Sequence, residues 1–342
     1  MAKTATIARP KIAPLKPREQ PPVRLFPTGS TLLDLQNSGG WALGRMVNIV
    51  GDTSTGKTLL AIEACANFAR LYGAEHARYV ETEAAFDELY AARVGLPPGL
   101  QRCDEVRTVE DFNDDLADFL KRLNGSPGLY CLDSFDALSS MAEVKREITD
   151  KQTYAAEKAK VLHELFRRQV KDIGLHNCCL MIISQTRDNI GNQFVPKTRS
   201  GGRALDFFAS QTIWLHEVGK ETRTVSAVER VIGVNVRAQN KKNKIGEPFR
   251  TVDFLMVFNY GTDDELSMIK WLVRNKADDR HLLHQLSVPN KASPYEMAVR
   301  RAREQRDVEL LVKYVTELRA ATRERWQEIE DALRPPMLKY AT

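Results

Sequence analysis

No uninterrupted apolar run in this 342-residue sequence exceeds strand length. A helix that crosses a bilayer needs about 20 such residues, so a helical membrane span is excluded. The N-terminus also has no apolar signal core, and the expectation is a cytosolic protein with no membrane partner. Cysteine is scarce: Cys65, Cys103, Cys131, Cys178 and Cys179 are odd in number, scattered and free of CxxC spacing. That argues against a disulfide framework or a zinc site and fits a reducing compartment. Histidine is nearly as scarce, six in all, and only His281 and His284 in HLLH share a helical face. Without a further ligand beside them they read as surface histidines. Acid is almost missing from one place. The first 24 residues hold five prolines, six basic residues and one acid, with little to bury, and read as an extended basic arm.

What remains is an ordinary globular composition, 43% hydrophobic and 28% charged. The net charge of +5 permits an anionic partner without requiring one. From Leu25 onward strand-like runs alternate with helical patterns. MVNIV precedes LLAIEACANFARLYG, ARYVE precedes AAFDELYAARVG, and GLYCLD precedes a long helix reaching about Ile173, after which comes CCLMIIS. Such alternation predicts an α/β fold with a largely parallel twisted sheet and helices on both faces. TIWLHEV, RVIGVNVRAQ and RTVDFLMVF follow without helices between them, which predicts an antiparallel extension at one sheet edge. Near the C-terminus Leu310, Leu311, Tyr314, Val315, Leu318, Trp326, Ile329 and Leu333 recur at helical spacing, the mark of an amphipathic helix preceded by another. The expected organisation is an arm over 1–24, an α/β core over 25–285 and a helical region over 286–342.

VNIVGDTSTGKTLL carries the strongest motif. A strand leads into Gly51-Asp52-Thr53-Ser54-Thr55-Gly56-Lys57-Thr58 and then a helix, the GxxxxGK[ST] pattern in the context a phosphate-binding loop requires. Glycines let successive N–H groups turn inward, and the helix N-terminus adds partial positive charge. Lys57 is placed to reach the β- and γ-phosphates of a nucleotide and Thr58 to ligate Mg²⁺. The strand GLYCLD ends in Asp133, the expected second carboxylate on the metal side. The strand ARYVE leads to Glu81 and Glu83. Either sits where a base that orients water for attack on the γ-phosphate belongs, and the residues alone leave the choice open.

The stretch SQTRDNIGNQFVPKTRSGGRALDFF, directly after a buried strand, is unusual for a connection. Between Thr186 and Arg203 it sets Arg187, Lys197, Arg199 and Arg203 against one acid, Asp188, with Ile190 and Phe194 as isolated apolar residues.

FPTGSTLLD, GRMVNIVGDTSTGKT, YVETEAAFDELYAARVG, LYCLDSFDAL, MIISQTRDNIGNQF, SGGRALDFFAS and KKNKIGEPF occur in the order found in the RecA family of DNA strand-exchange recombinases. The resemblance runs from about Leu25 to Lys276 and implies a RecA-like P-loop ATPase core. It implies that Glu83 activates the attacking water and that Asp87 and Tyr90 contact and stack on adenine. It also implies that Gln185 senses the γ-phosphate and passes its state to the loop that follows. That loop binds single-stranded DNA in the family. Gly191, Gly201 and Gly202 match glycines that let its backbone follow phosphates, with Arg187, Lys197, Arg199 and Arg203 as phosphate contacts and Ile190 or Phe194 as wedges against bases. Lys242 and Lys244 match lysines that reach the ATP of the adjacent subunit in a filament.

The resemblance therefore implies an ATP- and Mg²⁺-dependent recombinase that forms helical homo-oligomers on single-stranded DNA and exchanges strands with homologous duplex. The alternative is a RecA-fold ATPase of another role, such as a helicase motor, an annealing accessory or a regulatory ATPase. The basic loop and the paired lysines favour the recombinase, since a motor has no evident need of both. The likeness has gaps. Ser139 to Lys158, where a first DNA loop belongs, resembles the family only loosely, and Arg203 replaces a residue that is usually small and polar. The proline-rich arm stands in place of an N-terminal helix, and the C-terminal helices match nothing recognisable. Divergent ends on a retained core suit a phage-encoded member, acting at the nucleoid or in a host cytoplasm.

Overall fold

A computed structural model describes residues 23–83, 86–144, 155–188, 197–199, 202–275 and 294–335. All but the last two residues of the N-terminal arm therefore lie outside the described residues, as do half of the first DNA-loop segment, Ile190, Gly191, Phe194, Gly201, the HLLH histidines and the expected boundary near 285.

The chain opens with β1 (Leu25–Phe26), α1 (Thr31–Gln36) and β2 (Trp41–Ala42), in which β1 and β2 pair antiparallel. Next come β3 (Met46–Gly51), α2 (Lys57–Tyr72), β4 (Ala77–Glu81), α3 (Glu88–Val94), β5 (Gln101–Cys103), α4 (Val109–Arg122) and β6 (Gly128–Asp133). The short α5 (Met141–Val144) and α6 (Ala155–Leu175) lead to β7 (Cys178–Asp188), β8 (Lys197–Arg199) and α7 (Gly202–Phe208). The remainder is β9 (Gln211–Val225), β10 (Val228–Asn243), β11 (Thr251–Val257), β12 (Gly261–Asp263), α8 (Asp264–Arg274), α9 (Pro294–Glu304) and α10 (Val308–Leu333). The strand order is β12-β11-β10-β9-β3-β7-β6-β4-β5, with β8 paired to β7. From β9 to β5 neighbours run parallel, and β10, β11 and β12 extend one edge antiparallel.

Both faces of the parallel part are buried, which explains why its strands read as continuous apolar runs. Along β7, Cys179, Met181 and Ile183 join the cluster that contains Leu60, Cys65 and Phe68 of α2. The alternate residues Cys178, Leu180 and Ile182 join Phe112, Leu116 and Phe119 of α4 and Phe166 of α6. Two elements went unread in the sequence. β5 is only three residues long, whereas α4 had a legible start: Thr108 accepts from Asp111 N while Asp111 accepts from the Thr108 backbone, a complete capping box. The single long helix expected after GLYCLD is replaced by a turn, α5 and α6.

The C-terminal helices pack on the chain's own core. Tyr295 and Val299 of α9 and Leu318 and Ala321 of α10 close over Met268, Ile269 and Leu272 of α8. Trp326 stacks on Trp271 at 5.8 Å. Arg319 approaches Asp264 at 3.3 Å, and Asp264 accepts from Thr31 N at 2.6 Å and Thr31 Oγ1 at 2.8 Å. This junction also burdens a carboxylate. Burial pushes Asp34 up to about 7, against a hydrogen bond from Thr28 N, with Asp264 adding like charge and Arg319 offsetting it. Its folded value lies above the unfolded value of about 4, so ionisation destabilises the fold progressively as pH rises from about 4 to 7. Asp34→Asn keeps the acceptor for Thr28 and removes the charge. Its stability advantage over the parent, read by thermal melts, is expected to grow across that window and level off above pH 7; an advantage that is constant from pH 4 to 8 overturns the assignment.

Candidate functional site

The parallel register gathers the motif residues at one sheet edge. Gly51 is opposite Gln185, and Glu81 is opposite Asp133. Beyond β3 the chain turns through Asp52–Gly56, and Gly56 caps α2 at φ 84. A Cβ on Gly56 would stand 2.1 Å from Met256 Sδ, so both the backbone angle and the space demand glycine. Lys57, 8% exposed, donates from Nζ to the Asp52 carbonyl at 2.6 Å. Burial pushes its pKa down, while the carboxylates of Asp133, Glu83, Asp136 and Asp52 hold the ammonium charged.

Asp133 is buried at the end of β6, and desolvation raises its pKa against hydrogen bonds from Tyr79 Oη, at 2.6 Å, and from the Thr58 side chain. A hydroxyl and a carboxylate at the first turn of α2, beside a buried ammonium, form the hard oxygen set that Mg²⁺ prefers. The helix N-terminus and Lys57 suit the phosphates of ATP. These residues fit the ATP–Mg²⁺ pair, with Lys57 toward the phosphates and Thr58 and Asp133 toward the metal.

The geometry separates the two acids that the sequence left open. Thr82 is clamped between strands, with N donating to Asp133 O at 2.9 Å and Oγ1 to Ser134 O at 2.6 Å. This fixes the neighbours' directions. Glu81 is 8% exposed and turned back, its Oε1 accepting from Glu83 N at 3.1 Å. Glu83 is exposed, and its Oε1 accepts from Ser134 Oγ and, at 2.9 Å, from Gln185 Nε2. Gln185 is held from its backbone as well, its N donating to Asp136 Oδ2 at 2.6 Å. Neither Tyr79 nor Asp136 was singled out in the sequence. Tyr79 lies two residues before Glu81 on the same strand, so period-two logic could have found it. Asp87 caps α3 by accepting from Tyr90 N at 2.9 Å, and Tyr90 packs half-buried against the core.

The RecA N-terminal domain family matches residues 5–263. The chain belongs to the RecA family. Protein RecA of Borrelia duttonii is 33% identical over 247 residues, covering 71% of this chain and 66% of that protein. Protein RecA of Frankia casuarinae is 31% identical over 252 residues, 73% of this chain and 70% of that protein, and Protein RecA of Methylococcus capsulatus is 32% identical over 249 residues, 72% and 69%. About a third of each relative's length is thus unmatched.

Other residues singled out by the RecA resemblance lie away from this edge. Lys242 and Lys244 belong to the end of β10 and the turn after it. Lys242 pairs with Thr212, and the next residue, Asn243, with Gln211, at the start of β9. Leu215 of β9 pairs with Gly51, so the lysines lie some four residues, about 13 Å, back along the sheet from their own phosphate loop. There Lys242 Nζ donates to Asp206 O and, at 3.1 Å, to Phe207 O, while Lys244 Nζ donates to Phe207 O at 3.5 Å. Both cap the C-terminal carbonyls of α7. In the loop after Gln185, β7 continues through Arg187, and Thr186, Arg187 and Asp188 pair with Arg199, Thr198 and Lys197 of β8. Gly202 and Arg203 open α7. No described helix is long and apolar enough to cross a membrane.

Gly56→Ala tests the phosphate loop without touching a charged group. The strained φ and the clash with Met256 together are expected to abolish detectable nucleotide binding by calorimetry and to lower stability by about 1–3 kcal/mol. Adding Met256→Ala relieves the clash alone, so binding restored fully in the double variant counts against a need for positive φ.

Proposed function

We propose that this RecA-family chain is a DNA-dependent ATPase and homologous recombination protein. In this reading it binds ATP with Mg²⁺, assembles as a helical filament on single-stranded DNA, and pairs and exchanges that strand with homologous duplex. The observation that carries the reading is the Glu83–Gln185 hydrogen bond. It joins the acid at the phosphate edge to the residue from which β7 runs directly into the basic, strand-paired segment. A nucleotide site wired to a basic loop suits a protein whose grip on DNA follows its nucleotide.

The chain's own groups divide the work. The Lys57 ammonium and the α2 N-terminus hold the phosphates and offset charge that develops on them. The Glu83 carboxylate takes a proton from the attacking water, while Glu81, turned away, supports the backbone of Glu83. Thr58 and Asp133 would hold Mg²⁺, which would supply charge neutralisation at the phosphates when bound. Asp87 and Tyr90 form the adenine side. Arg187, Lys197, Arg199 and Arg203 contact the DNA backbone, and Gly191, Gly201 and Gly202 let it be followed closely, with Ile190 or Phe194 between bases.

Two experiments test this. In electron micrographs with single-stranded DNA, the parent chain is expected to form filaments with ATP and to lose them as ATP is consumed. Glu83→Gln keeps the acceptor for Gln185 but is a poor base, so its filaments are expected to persist with hydrolysis at least 100-fold slower. Glu81→Gln is expected to hydrolyse within a few-fold of the parent, and the reverse pattern reassigns the base. The absence of any nucleotide-dependent filament would instead favour the other RecA-fold roles.

The position of Lys242 and Lys244, far from their own phosphate loop, supports action on a neighbour's nucleotide. Lys242→Ala with Lys244→Ala is expected to bind ATP but to show little DNA-stimulated hydrolysis, and Lys57→Ala is expected to show neither. In mixed filaments the two inactive variants are expected to regain part of the activity, because an intact loop then meets intact lysines across some interfaces. Confirmed mixing without recovery indicates that each subunit works alone.

A further inference from the structure

We propose that Asp52 is a positioning residue which, through Thr186, couples nucleotide at the phosphate loop to the start of the basic segment. This rests on the reading of that segment as the DNA-binding loop, and it adds a second route beside Gln185. Three observations meet at Asp52. Its carbonyl accepts from Lys57 Nζ at 2.6 Å and from Thr55 Oγ1 at 2.8 Å, and its Oδ1 accepts from Thr186 Oγ1. The β3–β7 register explains how residues so distant in sequence meet: Gly51 is opposite Gln185, so the next residue on each strand emerges side by side at the edge. Thr186 in turn pairs with Arg199 across the β7–β8 ladder. A single residue therefore touches the ammonium that phosphates claim and, through one hydroxyl, the strand pair that carries three of the candidate DNA contacts.

The physical consequence has a definite sign. A triphosphate draws the Lys57 ammonium toward itself, weakening its bond to the Asp52 carbonyl, and repels the Asp52 carboxylate as a like charge. Both effects displace the same residue. With Oδ1 tied to Thr186, the displacement is passed to the end of β7 and, through main-chain pairing, to Arg199. Gln185 cannot substitute for this path, because its amide answers to Glu83 and its N–H to Asp136.

The measured quantity is the nucleotide gain: affinity for a labelled oligo-dT strand with a non-hydrolysable ATP analogue, divided by affinity without nucleotide. Thr186→Val removes the hydroxyl at nearly constant shape. It is expected to cut the gain on the order of tenfold, the worth of one hydrogen bond to a charged group. Thr186→Ser is expected to restore most of it, which a purely packing role for the methyl group would not allow. Asp52→Ala breaks the same link from the other side, so the double variant is expected to lose no more than either single one. Should Thr186→Val fail to fold, as judged by thermal melting, Asp52→Ala on its half-buried turn carries the test. A parent gain that survives both single substitutions, or losses that add in the double variant, overturns the coupling. A parent chain with no gain at all overturns the functional reading, and this proposal with it.

Discussion

One buried ammonium organises the candidate site. Lys57 is nearly out of contact with water, yet the carboxylates of Asp133, Glu83, Asp136 and Asp52 all act on it. Four acids around one base cannot by themselves welcome a triphosphate, because like charge would dominate. In the proposed reading the surplus would be met by the partial charge at the α2 N-terminus and by a divalent cation held by Thr58 and Asp133. Removing Lys57 would therefore do more than delete a phosphate contact. It would leave the buried Asp133 without a counter-charge that holds its pKa down against desolvation.

The parallel sheet acts as a ruler for this chemistry. Strands that start level and run the same way end level, so Gly51, Glu81, Asp133 and Gln185 need no loops to bring them together. The antiparallel β10 reverses the direction and delivers Lys242 and Lys244 to the opposite end. One chain thus carries Lys57 at one end of the sheet and Lys242 and Lys244 at the other, so in the proposed reading the two sets would serve different nucleotides. The caps that the two lysines place on α7 have a further implication. A neighbour's phosphate that attracted them would also loosen the helix that ends the basic segment. The segment is thereby attached at its entrance to the phosphate loop and at its exit to the two lysines that the proposed reading assigns to a neighbour's nucleotide.

Local features of the sequence were legible, and long-range pairings were not. GDTSTGKT between a strand and a helix, and an acid ending GLYCLD, are recognisable because every needed residue lies within a few positions. Glu81 and Glu83 could not be told apart locally. Their different directions follow from Thr82 bridging to Ser134, 52 residues away. The Asp52–Thr186 contact spans 134 residues and follows only from a strand register that no periodicity reports. The amphipathic pattern of α10 showed that it must bury one face. The face it covers became clear only with Trp326 on Trp271 and Glu330 paired with Arg250 at 2.6 Å. Asp87 had a local meaning that was passed over, as an acid accepting from the backbone N–H three residues on, the mark of an N-cap.

The rear of the phosphate-loop helix is braced where its front is adjustable. On α2, buried Glu63 accepts from Thr262 N and Thr262 Oγ1, both at 2.6 Å. The adjoining Asp263 accepts from Arg303 of α9 at 2.7 Å and 2.8 Å. Buried ion pairs and charged hydrogen bonds of this kind are costly to break one partner at a time, so they resist displacement even where they add little net stability. A helix held this way from behind cannot easily slide when phosphates arrive at its N-terminus. The response is left to the short turn in front of it, Asp52 to Gly56, and to whatever that turn is bonded to. In this chain that includes the end of β7, so under the proposed coupling the C-terminal helices would help direct a nucleotide's effect toward the basic segment.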